Sequence, residues 1–398
     1  MIRKIFTTAI IMGVLAGISV PETYAAEKLT RKQKKEIALM DKAKSNFENQ
    51  QYDLAIEFYT RAIEVNAENP ESYAKRGNAR FLIGNYKDAV IDYTKAIELD
   101  PKRENLYYNR GIAKANLNLY EDVIEDYTKE LELNPVNVNA YLNRGSTQVL
   151  MKRYDEAIKD FSIAIGLDSK NELAYYNRGI AKRYKGDYKG AIEDYTKVIE
   201  LDPQNVDAYN NRGVAKYYSK DYSGAIADYT KVLELDNYFK QVYYNRGIAK
   251  LGLKKYDDAI TDFNKELEIN PKSDLAYYEI GIAESRLDHY TSAIDAFTKA
   301  IELNPNNAEY YTQRGALISR SDGDLQKAKE DLIKAIDLDS NDAEKYLTRA
   351  IIFCKLNMYL PAIDDLNVVI KLDEKNTQAY DLRSYAISSM NAEAQKVK

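Results

Sequence analysis

The chain has 398 residues and little of what catalysis and metal binding usually require. It contains one cysteine, Cys354, one histidine, His289, and no tryptophan. A single cysteine excludes an intramolecular disulfide, and one cysteine with one histidine excludes a zinc site of the cysteine–histidine type. A serine or cysteine triad could run only through His289, and no glycine-rich phosphate loop precedes a helix. The expectation is therefore a protein with no catalytic residues, no metal and no cofactor. The formal net charge is −5, with both signs interspersed, so the concentrated basic face that nucleic-acid binding needs is missing.

What the chain has in abundance is tyrosine, 35 in all. Tyrosines recur every 34 residues at Tyr52, Tyr86, Tyr120, Tyr154, Tyr188, Tyr222, Tyr256 and Tyr290. One inserted residue moves the beat to Leu325, and it resumes at Tyr359. Three residues after each beat stands a small side chain, such as Ala55, Ala89, Val123 and Ala191. A fixed period of this length marks a stacked repeat array. Ten repeats fill residues 36–376, which leaves no room for a separate catalytic domain. Residues 26–35 read as a lead-in segment, and 377–398 as a capping helix and tail.

Residues 172–205 show the design of one copy. Tyr175, Gly179, Ile180 and Ala181 recur at helical spacing in its first half, and Gly186-Asp187 make a turn. Tyr188, Ala191, Ile192, Tyr195, Ile199 and Leu201 mark a second helical face, which Asp202-Pro203 terminates. Two short amphipathic helices cannot bury their apolar faces alone, so such hairpins must stack. A glycine recurs mid-way along the first helix, from Gly77 to Gly315. Each costs roughly 1 kcal/mol against alanine in a helix. Repetition at that cost points to close approach of the partner helix, with the small residue three after the beat expected to face the glycine.

On Tyr175, Gly179, Tyr188, Ala191, Tyr195 and Pro203, the copy resembles the tetratricopeptide repeat family. The resemblance extends over ten copies and a final first helix. It implies an all-α, right-handed superhelical solenoid of antiparallel helix–turn–helix repeats, whose first helices line a concave groove. It also implies a role in binding peptides or other proteins without an activity of its own.

The residue before the glycine departs from the family, which prefers leucine there. Here it is arginine: Arg76, Arg110, Arg144, Arg178, Arg212, Arg246, Arg314 and Arg349. Each of these copies carries an aspartate on its second helix: Asp92, Asp126, Asp160, Asp194, Asp228, Asp262, Asp331 and Asp365. In the eighth copy Ile280 and Ala296 replace both together. A lone loss would strand a buried charge at a cost of several kcal/mol, whereas an apolar replacement of the pair can be neutral. The joint loss predicts that arginine and aspartate meet within a repeat.

The residue before the arginine is asparagine in five successive copies: Asn109, Asn143, Asn177, Asn211 and Asn245. In the family this position faces the concave side. An amide offers donors and an acceptor, so this ladder is expected to read the backbone of an extended peptide, with Tyr108, Tyr176 and Tyr244 beside it as contact surface. Local hydrogen bonding of the asparagines and packing of the tyrosines are the competing readings. Lys114, Lys182, Lys216 and Lys250 are expected on a solvated face, attraction of an acidic ligand being the competing reading.

Residues 1–25 read as a secretory signal peptide: basic Arg3-Lys4, an apolar run from Ile5 to Val20, then Pro21 and small residues before Ala25. Cleavage would leave an exported chain of net charge −6, two basic residues and one acidic residue having been removed. It would have no stable membrane span and would lie in the periplasm or outside the cell. The sequence thus describes an exported scaffold or adaptor for protein or peptide partners. Glycan binding through the tyrosines, an enzyme centred on His289, and self-association through the array ends are the alternatives.

Overall fold

The computed structural model describes residues 29–396, apart from 240 and 322, with side chains described as far as 393. The signal peptide, residues 1–25, lies outside the described residues, as do residues 26–28 of the lead-in. Twenty-one helices follow one another, and no strand occurs among the described residues. Helical hairpins account for twenty of them. The first pairs Arg31–Glu48 with Tyr52–Val65, and the fifth pairs Glu172–Lys185 with Tyr188–Leu201. The tenth pairs Ala343–Lys355 with Tyr359–Leu372, and a final helix, Thr377–Lys396, follows it. The first helix starts inside the lead-in segment because Thr30 and Gln33 close a reciprocal capping box there.

The chain divides into two compact units, one ending at Ala208 and the other beginning at Tyr209. In each unit a first helix packs on its own second helix, and that second helix packs on the next first helix. First helices of neighbouring repeats also touch, for example Val138–Leu150 with Glu172–Lys185 and Val242–Gly252 with Asp274–Arg286. The first helices therefore lie side by side along one face of each stack.

The hairpin turns share one geometry. The residue two before each beat has positive φ in nine of the ten repeats, at Gln50, Gly84, Asn118, Lys152, Gly186, Lys220, Lys254, Asp288 and Asn357. The next residue's N–H then reaches back to a carbonyl in the last turn of the first helix, as Asp187 does to Lys182 at 2.8 Å. The ninth repeat differs at its inserted residue: Asp324 caps the second helix through the N–H groups of Gln326 and Lys327.

The mid-helix glycines face a different neighbour from the one expected. A Cβ on Gly179 would lie 2.8 Å from Cε1 and 3.0 Å from Cζ of Tyr195, a ring seven residues after the beat. The same ring position crowds Gly77 (Tyr93), Gly145 (Phe161) and Gly247 (Phe263). The small residue three after the beat is buried throughout, but it is the large ring that excludes a side chain. Gly179→Ala is accordingly expected to destabilise by about 1–3 kcal/mol despite the higher helix propensity of alanine. Urea unfolding checks this, and a neutral or stabilising result would contradict the contact.

Candidate functional site: the first-helix face

In eight of the ten repeats an arginine is the centre of a polar fan. Arg110 donates through Nε and Nη2 to the Asp126 carboxylate, the shorter bond being 2.7 Å. The same bidentate bridge joins Arg76–Asp92, Arg144–Asp160, Arg178–Asp194, Arg212–Asp228, Arg246–Asp262, Arg314–Asp331 and Arg349–Asp365. All eight bridges lie within one repeat, and every aspartate is buried. Ile280 packs in an apolar cluster in the eighth repeat, where Ala296 is buried.

Two further partners are not evident from the sequence. The remaining arginine nitrogen reaches back to a hydroxyl on the preceding repeat: Arg110 Nη1 donates to Thr94 at 3.1 Å, Arg178 to Ser162 at 3.0 Å and Arg246 to Thr230 at 3.1 Å. The tyrosine three residues before each arginine lies beneath its guanidinium, as Tyr175 does with Arg178 at 5.5 Å. The lysines are not solvated either. Lys114, Lys182, Lys216 and Lys250 each bind, at 2.8–3.0 Å, the aspartate oxygen of their repeat that also accepts from the arginine Nε, and Arg80 does the same in repeat 2. In the eighth repeat, which like the first (Lys42, Phe58) lacks the arginine and aspartate, Glu284 takes the lysine's place; Gln148, Ile318 and Phe353 take it in three repeats that keep the aspartate.

The asparagine ladder requires correction. Asn143 is 5% exposed, and Asn177 and Asn211 are each 2% exposed, too little for a peptide backbone to reach their amides. Asn143 Nδ2 donates to the hydroxyl of Tyr108, 35 residues earlier and itself 3% exposed. This position therefore faces the preceding repeat. Asn177 finds no hydrogen-bond partner among the described residues, because its equivalent neighbour 35 residues back is Leu142. Asn109, Asn245, Tyr176 and Tyr244 are partly exposed. In the eighth repeat the ladder position is Glu279, which accepts from the Tyr244 hydroxyl at 3.5 Å. Burial pushes the Glu279 carboxyl up to about 7.

The surface available on the first helices lies elsewhere. Leu82, Tyr184, Tyr218, Arg286 and Arg320 occupy one equivalent position, five residues after the glycine, and all are exposed. Unlike the arginine, aspartate and tyrosine of the frame, this position changes from repeat to repeat. His289 sits in the turn of the eighth repeat, exposed, with Nδ1 2.8 Å from a Glu284 carboxylate oxygen. Cys354 is buried, and burial raises its thiol pKa. Among the described residues no three metal-ligating side chains converge, and no helix is long and apolar enough to cross a membrane.

Sequence profiles of the tetratricopeptide repeat match residues 43–84, 77–118, 138–171, 179–218, 206–239, 240–273, 275–307 and 296–330. Together they cover well over half of the chain. The chain belongs to the tetratricopeptide repeat family. No curated protein matches it. Similar crystal structures include a tetratricopeptide repeat protein from Parabacteroides merdae, 22% identical over 63% of this chain and 99% of that one, with a TM-score of 0.46. YrrB, described as having an unusual peptide-binding site, is 23% identical over 50% of this chain and 97% of its own, with a TM-score of 0.43. Yeast Tom70 is 22% identical over 91% of this chain and 90% of its own, with a TM-score of 0.41. The tetratricopeptide frame of this chain is thus the arginine–aspartate–lysine fan, the glycine–ring contact and the shared turn.

Proposed function

We propose that the protein is an exported, non-enzymatic scaffold or adaptor that holds an extended segment of a partner protein against its first helices. The observation that carries this reading is the contrast between fixed and variable positions. The residues that repeat are consumed by packing, whereas the exposed first-helix positions vary and are rich in tyrosine and arginine, residues suited to recognition. The fixed tyrosines serve the frame, buried as Tyr93, Tyr127 and Tyr229 are, or stacked beneath arginine as Tyr175 is. The surface that sugar stacking would require is correspondingly small. The apolar run before Ala25 supports export to the periplasm or beyond the cell.

Two measurements test this. The mature chain is expected in the envelope or medium of its own cells, beginning at residue 26; a chain there that retains Met1 would overturn cleavage, and a chain confined to the cytoplasm would overturn export. Hydrogen exchange of the chain with its captured partner is expected to show protection on first helices such as 172–185 and 274–286. Protection confined to second helices such as 188–201 would overturn the groove.

A further inference from the structure

The final helix, Thr377–Lys396, is a first helix by register but not by its surroundings. Its Arg383 makes two of the contacts that define the polar fan. Arg383 Nη1 donates to Asn367 Oδ1 at 2.8 Å, and Asn367 stands two residues after Asp365 as Thr94 stands after Asp92. The guanidinium also lies over the Tyr380 ring at 5.4 Å, as that of Arg178 lies over Tyr175. The carboxylate of the fan is missing. No acidic side chain lies within ion-pair distance of Arg383 among the described residues, whereas Arg349, one repeat earlier, holds Asp365 of its own second helix at 2.7 Å.

The backbone explains the difference. The tenth repeat's first helix stops at Lys355, and its turn follows at Asn357, where φ is positive. The residue 34 positions after Lys355 is Ser389, yet the final helix runs through it to Lys396 without a turn. No second helix folds back over it among the described residues. The side left uncovered is not polar, although the outer face of a terminal cap ordinarily is. Tyr385 is 55% exposed and Ile387 is 40% exposed. Ser384 and Ile387 stand where the tenth repeat has Ala350 and Phe353, which are buried in one cluster with Ala362 and Leu366 of the helix Tyr359–Leu372. An arginine, a small residue and an apolar residue are thus set out at the spacing that receives a second helix.

We infer that this end face docks an amphipathic helix of a partner protein, whose aspartate pairs with Arg383 and whose apolar side chains cover Ser384 and Ile387, completing an eleventh repeat between two chains. Charge complementarity selects the occupant. Asn367 and Tyr380 already hold the guanidinium in place, and a planar guanidinium so held accepts a carboxylate in bidentate fashion. A second copy of the final helix does not supply one. The stripe of Tyr380, Ser384, Ile387 and Asn391 carries no acid, and Asp381 falls on another side of the helix. The second helices of a second copy are already packed within their own repeats. The site is the end of the array and not the first-helix face, so its loss would leave binding along the first helices intact.

The test uses the mature chain and a fluorescent peptide of residues 357–374, the tenth repeat's own second helix with its Asp365 and Leu366. Anisotropy titration is expected to show saturable binding. Arg383→Gln in the chain, or Asp365→Asn in the peptide, is expected to weaken it about tenfold or more, and the two together no further. Arg383→Asp with Asp365→Arg in the peptide is expected to recover most of the loss, and circular dichroism checks that each chain variant is folded. Equal binding to parent and Arg383→Gln would overturn the end site; displacement of the chain's own helix from Arg349 would give that result. Absence of saturable binding to the parent would overturn it too. Sedimentation of the chain alone is expected to give a monomer. A dimer lost in Ile387→Glu would assign the face to a second copy and overturn the partner helix.

Discussion

Asp194→Ala is expected to destabilise the fifth repeat by about 3–5 kcal/mol, the usual cost of removing one partner from a buried ion pair. The carboxylate is buried and accepts from three donors: Arg178 Nε at 3.0 Å, Arg178 Nη2 at 2.7 Å and Lys182 Nζ at 2.9 Å. Removing it leaves two mostly buried cations without a counter-charge, the arginine keeping only its bond to Ser162 and the lysine only its 3.3 Å bond to the Gly190 carbonyl. The eighth repeat shows the chain's own solution, with Ile280, Glu284 and Ala296 in the three places. Arg178→Ile, Lys182→Gln and Asp194→Ala together are therefore expected to recover most of the loss, ending within about 1–2 kcal/mol of the parent. The double variant that keeps Lys182 should fall between. Array proteins do not always unfold in one step, so urea midpoints should be read with amide exchange in residues 172–201. If the single and triple variants lose equal stability, the fan contributes nothing as a unit.

Glu279→Gln is expected to stabilise the protein at pH 8 by something of the order of 2 kcal/mol, and to have no effect near pH 4.5. The folded chain holds this carboxyl at about 7, against an ordinary value of 4.5. A group whose pKa is raised by folding binds more protons in the folded state between those limits. Stability must then fall as pH climbs from 4.5 to 7 and stay low above it. Each tenfold change in proton affinity is worth about 1.4 kcal/mol, reduced here because the side chain keeps some contact with solvent. The cause is burial, which the hydrogen bond from Tyr244 only partly offsets. The phenols around it, Tyr217, Tyr244, Tyr278 and Tyr310, are all held above their ordinary range and stay neutral across this window. Thermal unfolding of parent and variant at pH 4.5, 6 and 8 checks the sign. A constant difference across the three would mean that Glu279 does not titrate as described.

The hairpins and their number were legible because a strict period leaves few ways to fold. The arginine–aspartate bridge was legible because the eighth repeat, flanked by copies that have both members, lacks both. The parts that were not legible depend on contacts between repeats. Thr94 and Ser162 look like ordinary polar residues on a helix until Arg110 and Arg178 are placed beside them. Asn143 looks like groove lining until Tyr108 of the previous repeat covers it. Lys182 reads as a surface residue because its neighbours in sequence do not reveal Asp194. The neighbour of the glycine is hidden for a related reason. Helical spacing identifies the facing helix, but which of its side chains reaches the glycine depends on ring length and direction.

The hydroxyl contact of the arginine fan also has a mechanical side. Thr230 is tied to Arg246 and Thr298 to Arg314, so sixth and seventh repeats are cross-linked, and likewise eighth and ninth. Between the seventh and eighth, Asn264 and Ile280 stand where hydroxyl and arginine would be, and between the ninth and tenth Ile333 replaces the hydroxyl. Those two seams lack the arginine–hydroxyl tether and are crossed instead by contacts such as Tyr244 to Glu279 and Lys355 to Ser319. Loss of the tether at these seams divides the second unit into repeats six and seven, repeats eight and nine, and the tenth repeat with the final helix, and the seam before Ile280 adjoins Glu279 itself. Pulling on the second unit would then load the tethered pairs as rigid blocks and concentrate strain where neither arginine nor hydroxyl joins one pair to the next.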